Sequence, residues 1–220
     1  MTEKTLGILV KHFCLDSVDS NDKMIQFPPQ SLKSVVIMDI FGKFIVYSLE
    51  DIFEEIRQLN TLEEIKEKLS SKAKEMIVKR YYFIDNKTKL KKKSKKDTTI
   101  KTLKCQSDLT DLEQTCTYDE LEDAYVSLND ICPTGIYKDG VLYSECSLLK
   151  LDDVYDLGVI SRKDVRGKGY GKKLIYEFLK KEAKDKLIRM IVPENNIPMI
   201  SLCDSLGLTS EIRFLEIKLK

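Results

Sequence analysis

Hydrophobic positions along the chain change repeatedly between the spacing of strands and the spacing of helices. Residues 35–40 and 44–47 are apolar, β-branched runs separated by Phe41-Gly42-Lys43, and this pattern predicts a hairpin. After Ser48, one apolar stripe at helical spacing predicts a first helix, and its members are Ile52, Phe53, Ile56 and Leu59.

A second helix is predicted to begin at Thr61, because Glu64 three residues later completes a capping box. The apolar stripe of this helix is predicted to contain Leu62, Ile65, Leu69, Ala73 and Met76. A further strand is predicted over residues 80–84. The first 85 residues therefore indicate a small α+β half.

The second half alternates strands with helices. Strands are predicted over residues 99–104, 135–138, 141–149, 154–161, 187–192 and 212–219, with Asp139-Gly140 as a two-residue hairpin turn. Helical segments are predicted within 109–130, over 196–206 before Gly207, and along the stripe Leu174, Ile175, Phe178, Leu179 and Ala183. From residue 141 onward the order β-β-α-β-α-β is typical of an α/β fold.

Composition narrows the class of protein without naming a function. The chain has 220 residues, 42% hydrophobic and 33% charged, with a formal net charge of +1. Such a balance is typical of a soluble globular protein and predicts no general attraction to nucleic acid or membranes. The early apolar run at residues 6–10 is too short for a signal peptide, and no stretch could span a bilayer. The expected location is cytoplasmic.

Seven lysines between Asn86 and Thr99 mark an abrupt change of composition. One interpretation is a solvated linker over residues 86–98, between an N-terminal half (1–85) and a second domain (99–220). The other is a surface for nucleic acid or acidic lipid, although no aromatic residues are interleaved for base stacking.

Metal and triad chemistry find little support in the sequence. The six cysteines show no C-x-x-C spacing, and His12 is the single histidine. A zinc site or a Ser/Cys–His–Asp triad would have to include His12. We therefore predict no metal.

The most informative segment is a predicted strand from Asp156 that runs into a turn with glycines at 167, 169 and 171, followed at once by a helix. Glycines allow a ligand to approach the backbone, and the first helical turn offers unbonded N–H groups and a favourable dipole for an anion. Lys168, Lys172 and Lys173 add positive charge there. The arrangement predicts a pyrophosphate cradle. The glycine spacing fits neither a Walker loop nor a dinucleotide-binding fingerprint.

This segment resembles the GNAT superfamily of N-acetyltransferases, whose Q/R-x-x-G-x-G/A signature is met by Arg166-Gly167-Lys168-Gly169-Tyr170-Gly171. A downstream Asn…Gly element is similar to Asn196 with Gly207-Leu208. The resemblance covers residues 99–220. It implies an α/β fold with a mixed, splayed central sheet flanked by helices. The layout of the first half is similar to the glycine N-acyltransferase-like branch.

In that family the turn amides bind the pyrophosphate of coenzyme A, and the pantetheine arm lies along the preceding strand. The resemblance therefore implies contacts to acetyl-CoA from Val159, Ile160, Ser161, Arg166, Gly167, Lys168, Gly169, Tyr170, Gly171, Lys172 and Asn196. Two of these residues have a second interpretation. Arg166 could instead cap local carbonyl groups, and Asn196 could instead cap the helix ahead of Pro198.

Acyl transfer to an amine needs a proton acceptor and a donor to the developing oxyanion. Glu145 and Asp156 are candidate bases, and each has an alternative reading as a structural or surface carboxylate. The amide of Val159 or Ile160 is the candidate oxyanion donor. Cys203 occupies the position at which many family members have a tyrosine. It is either a substitute acid, as neighbouring Ser201 or Ser205 could be, or a core residue.

Three hypotheses from different classes follow. The first is an N-acyltransferase that uses acetyl-CoA and a small-molecule or peptide primary amine, with no nucleic-acid or membrane partner. The second is a non-catalytic coenzyme-A-binding sensor, suggested by the missing tyrosine. The third is an adaptor that binds polyanions through the lysine segment. A homodimer through edge strands such as 212–219 is left open.

Overall fold

A computed structural model describes residues 23–28, 33–40, 42–91 and 97–220. His12 and four lysines of the lysine-rich segment lie outside the described residues, and so do the predictions that depend on them. The chain forms two compact units. Of the described residues, unit 1 contains those within 83–190 and 198–209, and unit 2 contains those within 23–82, 191–197 and 210–220.

Strands and helices alternate through the described residues. The strands are β1 (Met24–Phe27), β2 (Ser34–Ile40), β3 (Lys43–Tyr47), β4 (Ala73–Ile84), β5 (Thr99–Thr102), β6 (Ile131–Lys138), β7 (Val141–Leu151), β8 (Val154–Ser161), β9 (Leu187–Pro193) and β10 (Ser210–Leu219). The helices are α1 (Glu50–Ile56), α2 (Leu62–Leu69), α3 (Gln106–Glu113), α4 (Tyr118–Ala124), α5 (Tyr170–Glu182) and α6 (Ile197–Leu206). This mixture confirms the predicted α/β class.

The sheet of unit 2 has the order β1-β3-β2-β10-β4. β2 and β3 form the predicted antiparallel hairpin, and β10 pairs antiparallel with both β2 and β4. The sheet and helices α1 and α2 share one apolar core, which includes Val35, Phe44, Ile56, Ile65 and Leu215. The final strand therefore groups with residues from the first half of the chain, while the sequence-based boundaries at 85/86 and 98/99 stay predictions.

The predicted extent of the second helix is wrong at its end. The capping box at Thr61 is present, but α2 ends at Leu69 and β4 begins at Ala73. Ala73 pairs with Leu219 and Met76 pairs with Ile217 in the ladder with β10. Both residues do pack on the core of unit 2. The distant strand partner, which local spacing cannot reveal, fixes their backbone as extended.

The sheet of unit 1 has the order β9-β8-β7-β6-β5. Strands β5 to β8 are antiparallel neighbours, whereas β8 and β9 are parallel. The hairpin turn at Asp139-Gly140 is confirmed, with φ of 50° and 81° at the two residues. These positive values are those of a type I′ turn, which suits the twist of the flanking strands.

Strands β8 and β9 share only a short ladder. Their register covers three residue pairs, from Val154 with Leu187 to Asp156 with Arg189. β8 continues for five more residues, to Ser161, beyond the last of these pairs. Among the described residues of unit 1, no strand pairs with the β9 side of this second half of β8, so this edge is open there, which is the splay that the resemblance implied. No helix among the described residues is long and apolar enough to cross a membrane.

Candidate functional site

The turn between β8 and α5 is built on two glycines with positive φ. A 3-10 turn at Lys163–Val165 leads to Arg166, and Gly167 then adopts φ 73°. Gly169 is the N-cap of α5, with φ 82° and no side-chain cap. Only glycine adopts such angles at little cost, so the sequence G-K-G permits this abrupt entry into a helix.

Three backbone amides of this turn indicate an anion-binding site. Among the hydrogen bonds of the described residues, none has the N–H of Gly167, Gly169 or Gly171 as its donor. The Lys168 amide makes a long contact of 3.3 Å with the Val165 carbonyl. The glycine amides lie at the positive end of a 13-residue helix. The turn therefore retains the donors that a phosphate group requires.

The space around these glycines fits a bound anion. A Cβ atom added to Gly167 would meet nothing within 4 Å, so the turn has open space on that side. A Cβ added to Gly171 would lie 3.2 Å from Ser161 Oγ. Gly171 thus lets the start of α5 approach the end of β8 closely. This contact brings the turn amides beside the strand that would carry the rest of a long ligand.

The hydrogen-bonding pattern of β8 decides which amide faces the open edge. Arg162 N donates to Tyr143 O at 3.0 Å, and Ile160 lies opposite Glu145 in the same ladder. Because antiparallel ladders alternate, the amides of Ile160 and Arg162 point toward β7. The Val159 amide consequently points toward the side where β9 has diverged. Of the two candidate oxyanion donors, the geometry favours Val159 over Ile160.

Arg166 serves the local backbone. Its Nε donates to the Ser161 carbonyl at 3.1 Å, and its Nη1 pairs with Glu120 Oε1. The hydrogen bond from Arg166 lowers the pKa of Glu120 to about 2. The structure thus shows the carbonyl-capping alternative of the sequence analysis, and the guanidinium also ties α4 to the turn.

The other side chains of the turn donate hydrogen bonds to nearby carbonyl groups or pack against a neighbouring ring. Lys168 Nζ donates to the Asp164 carbonyl at 2.9 Å, and Lys172 Nζ donates to the Ser205 carbonyl at 2.6 Å. Neither of these two bonds is to a carboxylate. Tyr170 is buried and meets the Tyr143 ring edge-on at 4.8 Å.

Glu145 is the most unusual ionisable group of unit 1. It lies on β7, it is 1% exposed, and neither carboxylate oxygen has a hydrogen-bond partner among the described residues. Burial, followed by the charges of Glu113 and Asp130, raises its pKa to about 8. Such a carboxyl group is neutral in most molecules at pH 7 and can take up and release a proton near that pH.

The other two catalytic candidates have structural surroundings. Both oxygens of Asp156 accept hydrogen bonds from Arg189, at 2.6 and 2.8 Å, in a bidentate pair between β8 and β9. Cys203 is fully buried in α6, and burial raises the pKa of its thiol to about 12. Asn196 belongs to unit 2, where its backbone N–H donates to the Pro193 carbonyl at 3.0 Å. Of the two candidate carboxylates, Glu145 is the one that is buried with no hydrogen-bond partner among the described residues.

Sequence reasoning missed an acidic region beside Glu145. Residues 105–137 contain no lysine or arginine but eight carboxylates: Asp108, Asp111, Glu113, Asp119, Glu120, Glu122, Asp123 and Asp130. The charge pattern was readable, but its position against β7 was not. Helix α3 packs on β7, and Asp130 accepts a 2.7 Å hydrogen bond from Ser147, two residues from Glu145.

Comparison with solved structures identifies the class of fold. The chain is similar to a GNAT-family acetyltransferase from Colwellia psychrerythraea, with 18% identity and a TM-score of 0.51 over 74% of this chain and 63% of that protein. A conserved Staphylococcus epidermidis protein described as functionally unknown gives 13% identity and a TM-score of 0.52, over 74% and 69% of the two chains. The fold is that of the GNAT acetyltransferases.

No protein-family model matches the chain, and no curated protein does. A Drosophila protein is a further structural neighbour, with 14% identity and a TM-score of 0.51 over 74% of this chain and 58% of that one. The chain spans less than two thirds of the length of the Colwellia and Drosophila proteins. At these identities the similarity establishes the fold, while the glycine N-acyltransferase-like branch stays a prediction.

Proposed function

We propose that this protein is an N-acyltransferase that moves an acetyl group from acetyl-CoA to a primary amine. The observation that carries the proposal is the open edge of β8, which leads directly into three glycine amides that have no hydrogen-bond acceptor among the described residues. An extended thioester with a diphosphate at one end is complementary to a strand edge followed by an anion site.

Coenzyme A would supply an acyl thioester along β8, with its diphosphate at the amides of Gly167, Gly169 and Gly171. The positive charges of Lys168 and Lys172 favour the same end of the ligand. The Val159 amide points toward the open edge, where it can donate to a carbonyl oxygen that becomes negative during attack.

The reaction requires the acceptor nitrogen to be neutral before it attacks the acyl carbon. Glu145 is the proposed base, and it receives the proton directly or through one water molecule. The new C–N bond forms as the C–S bond breaks, and the electron pair leaves on sulfur. A thiol with a pKa near 8.5 is a tolerable leaving group, so no dedicated acid is required.

A non-catalytic coenzyme-A-binding sensor is the second candidate. The burial of Cys203, whose thiol would have to act as the acid in place of the family tyrosine, favours it. Both candidates share the phosphate site and differ only in turnover. The cytoplasmic location, a homodimer and the identity of the acyl group stay predictions.

Two measurements test the proposal in sequence. Thermal unfolding is followed with acetyl-CoA, and a ligand at 100 times its Kd is expected to stabilise the chain by about 2.7 kcal/mol. Thiol release is then measured over a panel of primary amines. A thermal shift with no thiol release for any amine favours the sensor, and no shift at millimolar ligand contradicts both candidates.

A further inference from the structure

The helical segment between β5 and β6 carries a one-sided charge. Its eight carboxylates in residues 105–137 face no lysine or arginine of the same segment, although the whole chain has a net charge of +1. Four carboxylates have side-chain partners in the fold. Asp108 accepts from Tyr137 Oη at 2.8 Å, Asp130 accepts from Ser147 Oγ at 2.7 Å, Glu122 accepts from Tyr118 Oη at 2.6 Å, and Glu120 pairs with Arg166.

Of these four partners only Arg166 is a cation, so most of the negative charge is not neutralised by them. No hydrogen bond or ion pair among the described residues involves the carboxylates of Asp111, Glu113, Asp119 or Asp123. Like charges held close together repel one another and raise the free energy of the folded state. A surface that retains them gains stability when a cation binds.

A second observation connects this charge with a ligand. The Glu145 carboxyl is 1% exposed and has no hydrogen-bond partner among the described residues. It lies on β7, on which the acidic helix α3 packs, and Asp130 is hydrogen-bonded to Ser147 two residues further along the same strand. Buried polar groups in native proteins are almost always satisfied. An unsatisfied carboxyl group beside an acidic region indicates a position that a donor such as an ammonium group fills.

We infer that the acceptor amine belongs to a polycation, in which a primary alkylammonium group is accompanied by further positive charges. This inference rests on the proposed function and names its substrate class. One ammonium group approaches Glu145 and loses a proton, while the other charges interact with the outer carboxylates of α3 and α4. A linear aliphatic polyamine and a lysine-rich peptide share this chemistry.

The test measures binding and turnover separately on the full chain. Thiol release from acetyl-CoA is compared for spermidine, a short lysine-rich peptide, and a monoamine of similar length with one positive charge. The polycations are expected to have kcat/KM values at least about tenfold above that of the monoamine, because several charges interact at once. This difference should shrink as the salt concentration rises from about 50 to about 300 mM, because salt screens interactions between exposed charges. The better polycation identifies the source of the amine.

A pair of variants with equal charge changes locates the effect. Asp111→Asn with Glu113→Gln removes two negative charges from the acidic helix that packs on the strand of Glu145, whereas Asp51→Asn with Glu67→Gln removes two from exposed positions of unit 2. The first variant is expected to raise the KM or Kd for the polycation by about tenfold, the cost of two partly screened charge interactions. The second is expected to leave both constants within about twofold.

The outcomes separate this inference from the proposed function. Equal kcat/KM for monoamine and polycations, or equal losses in the two variants, overturns the inference and leaves acyl transfer standing. If no amine supports thiol release, polycation binding is read from a thermal shift with spermidine alone. A shift that the first variant loses and the second keeps supports the cation site even though the transferase proposal has failed. No shift overturns the inference.

Discussion

Two segments of unit 1 carry opposite charge and opposite hydrogen-bonding capacity. Residues 162–173, the turn and the start of α5, contain six cationic side chains and one acidic side chain. Residues 105–137 contain eight acidic side chains and no lysine or arginine. The turn offers N–H donors with no acceptor among the described residues, whereas β7, on which the acidic helix α3 packs, holds a carboxyl group whose two oxygens have no donor among them.

This difference shows that a nearly neutral chain can present two segments of opposite local charge. A net charge of +1 predicts no polyion partner for the whole surface, yet local fields are set by the nearest charges. One segment is complementary to an anion and the other to a cation. The proposed reaction, in which an acetyl group passes from an anionic carrier to a cationic amine and the carrier leaves as a thiol, would use both.

Removing the unbonded carboxyl group tests the acidic side and has the largest expected effect. Glu145→Gln is expected to lower kcat/KM for acyl transfer by about 10²- to 10⁴-fold, the usual contribution of a general base. Because the pKa of Glu145 is about 8, the wild-type rate should rise about tenfold per pH unit below that value and then level off. The variant should lack this limb, and the difference between the two pH profiles measures it.

The stability of the same variant provides a control, because the raised pKa of Glu145 fixes the sign of the change in unfolding free energy with pH. The folded pKa of Glu145 lies above the reference value of 4.5, so its proton stabilises the native state below pH 4.5. That contribution is lost as pH rises through 8, at up to about 1.4 kcal/mol per unit. Glu145→Gln should therefore gain free energy of unfolding relative to wild type between pH 5 and 8. Parallel stability curves would contradict the raised pKa.

Only part of the site could be predicted from the sequence, because some of its features are encoded locally and others depend on distant elements. The motif from Asp156 to Gly171 is local, and the structure reproduces both β8 and the glycine turn from it. Glu145 was a candidate on position alone, because its burial depends on distant elements such as helix α3, more than 30 residues earlier in the chain. The preference for the Val159 amide likewise depends on the ladder with β7, which no local spacing encodes.

The fold shows the same division between local and distant information. Asp139-Gly140 determines its hairpin within four residues, and the prediction was correct. Ala73 and Met76 satisfy helical spacing equally well, but their pairing with β10 almost 150 residues later makes them a strand. Sequence patterns therefore predicted most elements and failed where a distant partner decided the backbone.

A glycine substitution tests the basic turn and has the second-largest expected effect. Gly167→Ala adds a Cβ to open space at φ 73°, and Gly140→Ala does the same at φ 81° in the β6–β7 hairpin. Both variants should lose about 1 kcal/mol of stability from backbone strain. Only Gly167→Ala is expected to weaken coenzyme A binding, by about tenfold, since its Cβ enters the phosphate space. Calorimetry with coenzyme A measures the affinities, and equal affinities would place the diphosphate elsewhere.

The smallest effect is expected at Cys203, which belongs to neither charged segment. Cys203→Ser and Cys203→Ala should each cost about 1–2 kcal/mol of unfolding free energy, because the thiol is fully buried. Neither variant should change kcat by more than about twofold, since a buried thiol with a pKa of about 12 supplies no proton at neutral pH. Thiol release and denaturant titration measure the two effects. If both variants lost activity by about a hundredfold with stability preserved, Cys203 would be the acid, and catalysis would depend on α6 as well as on the two charged segments.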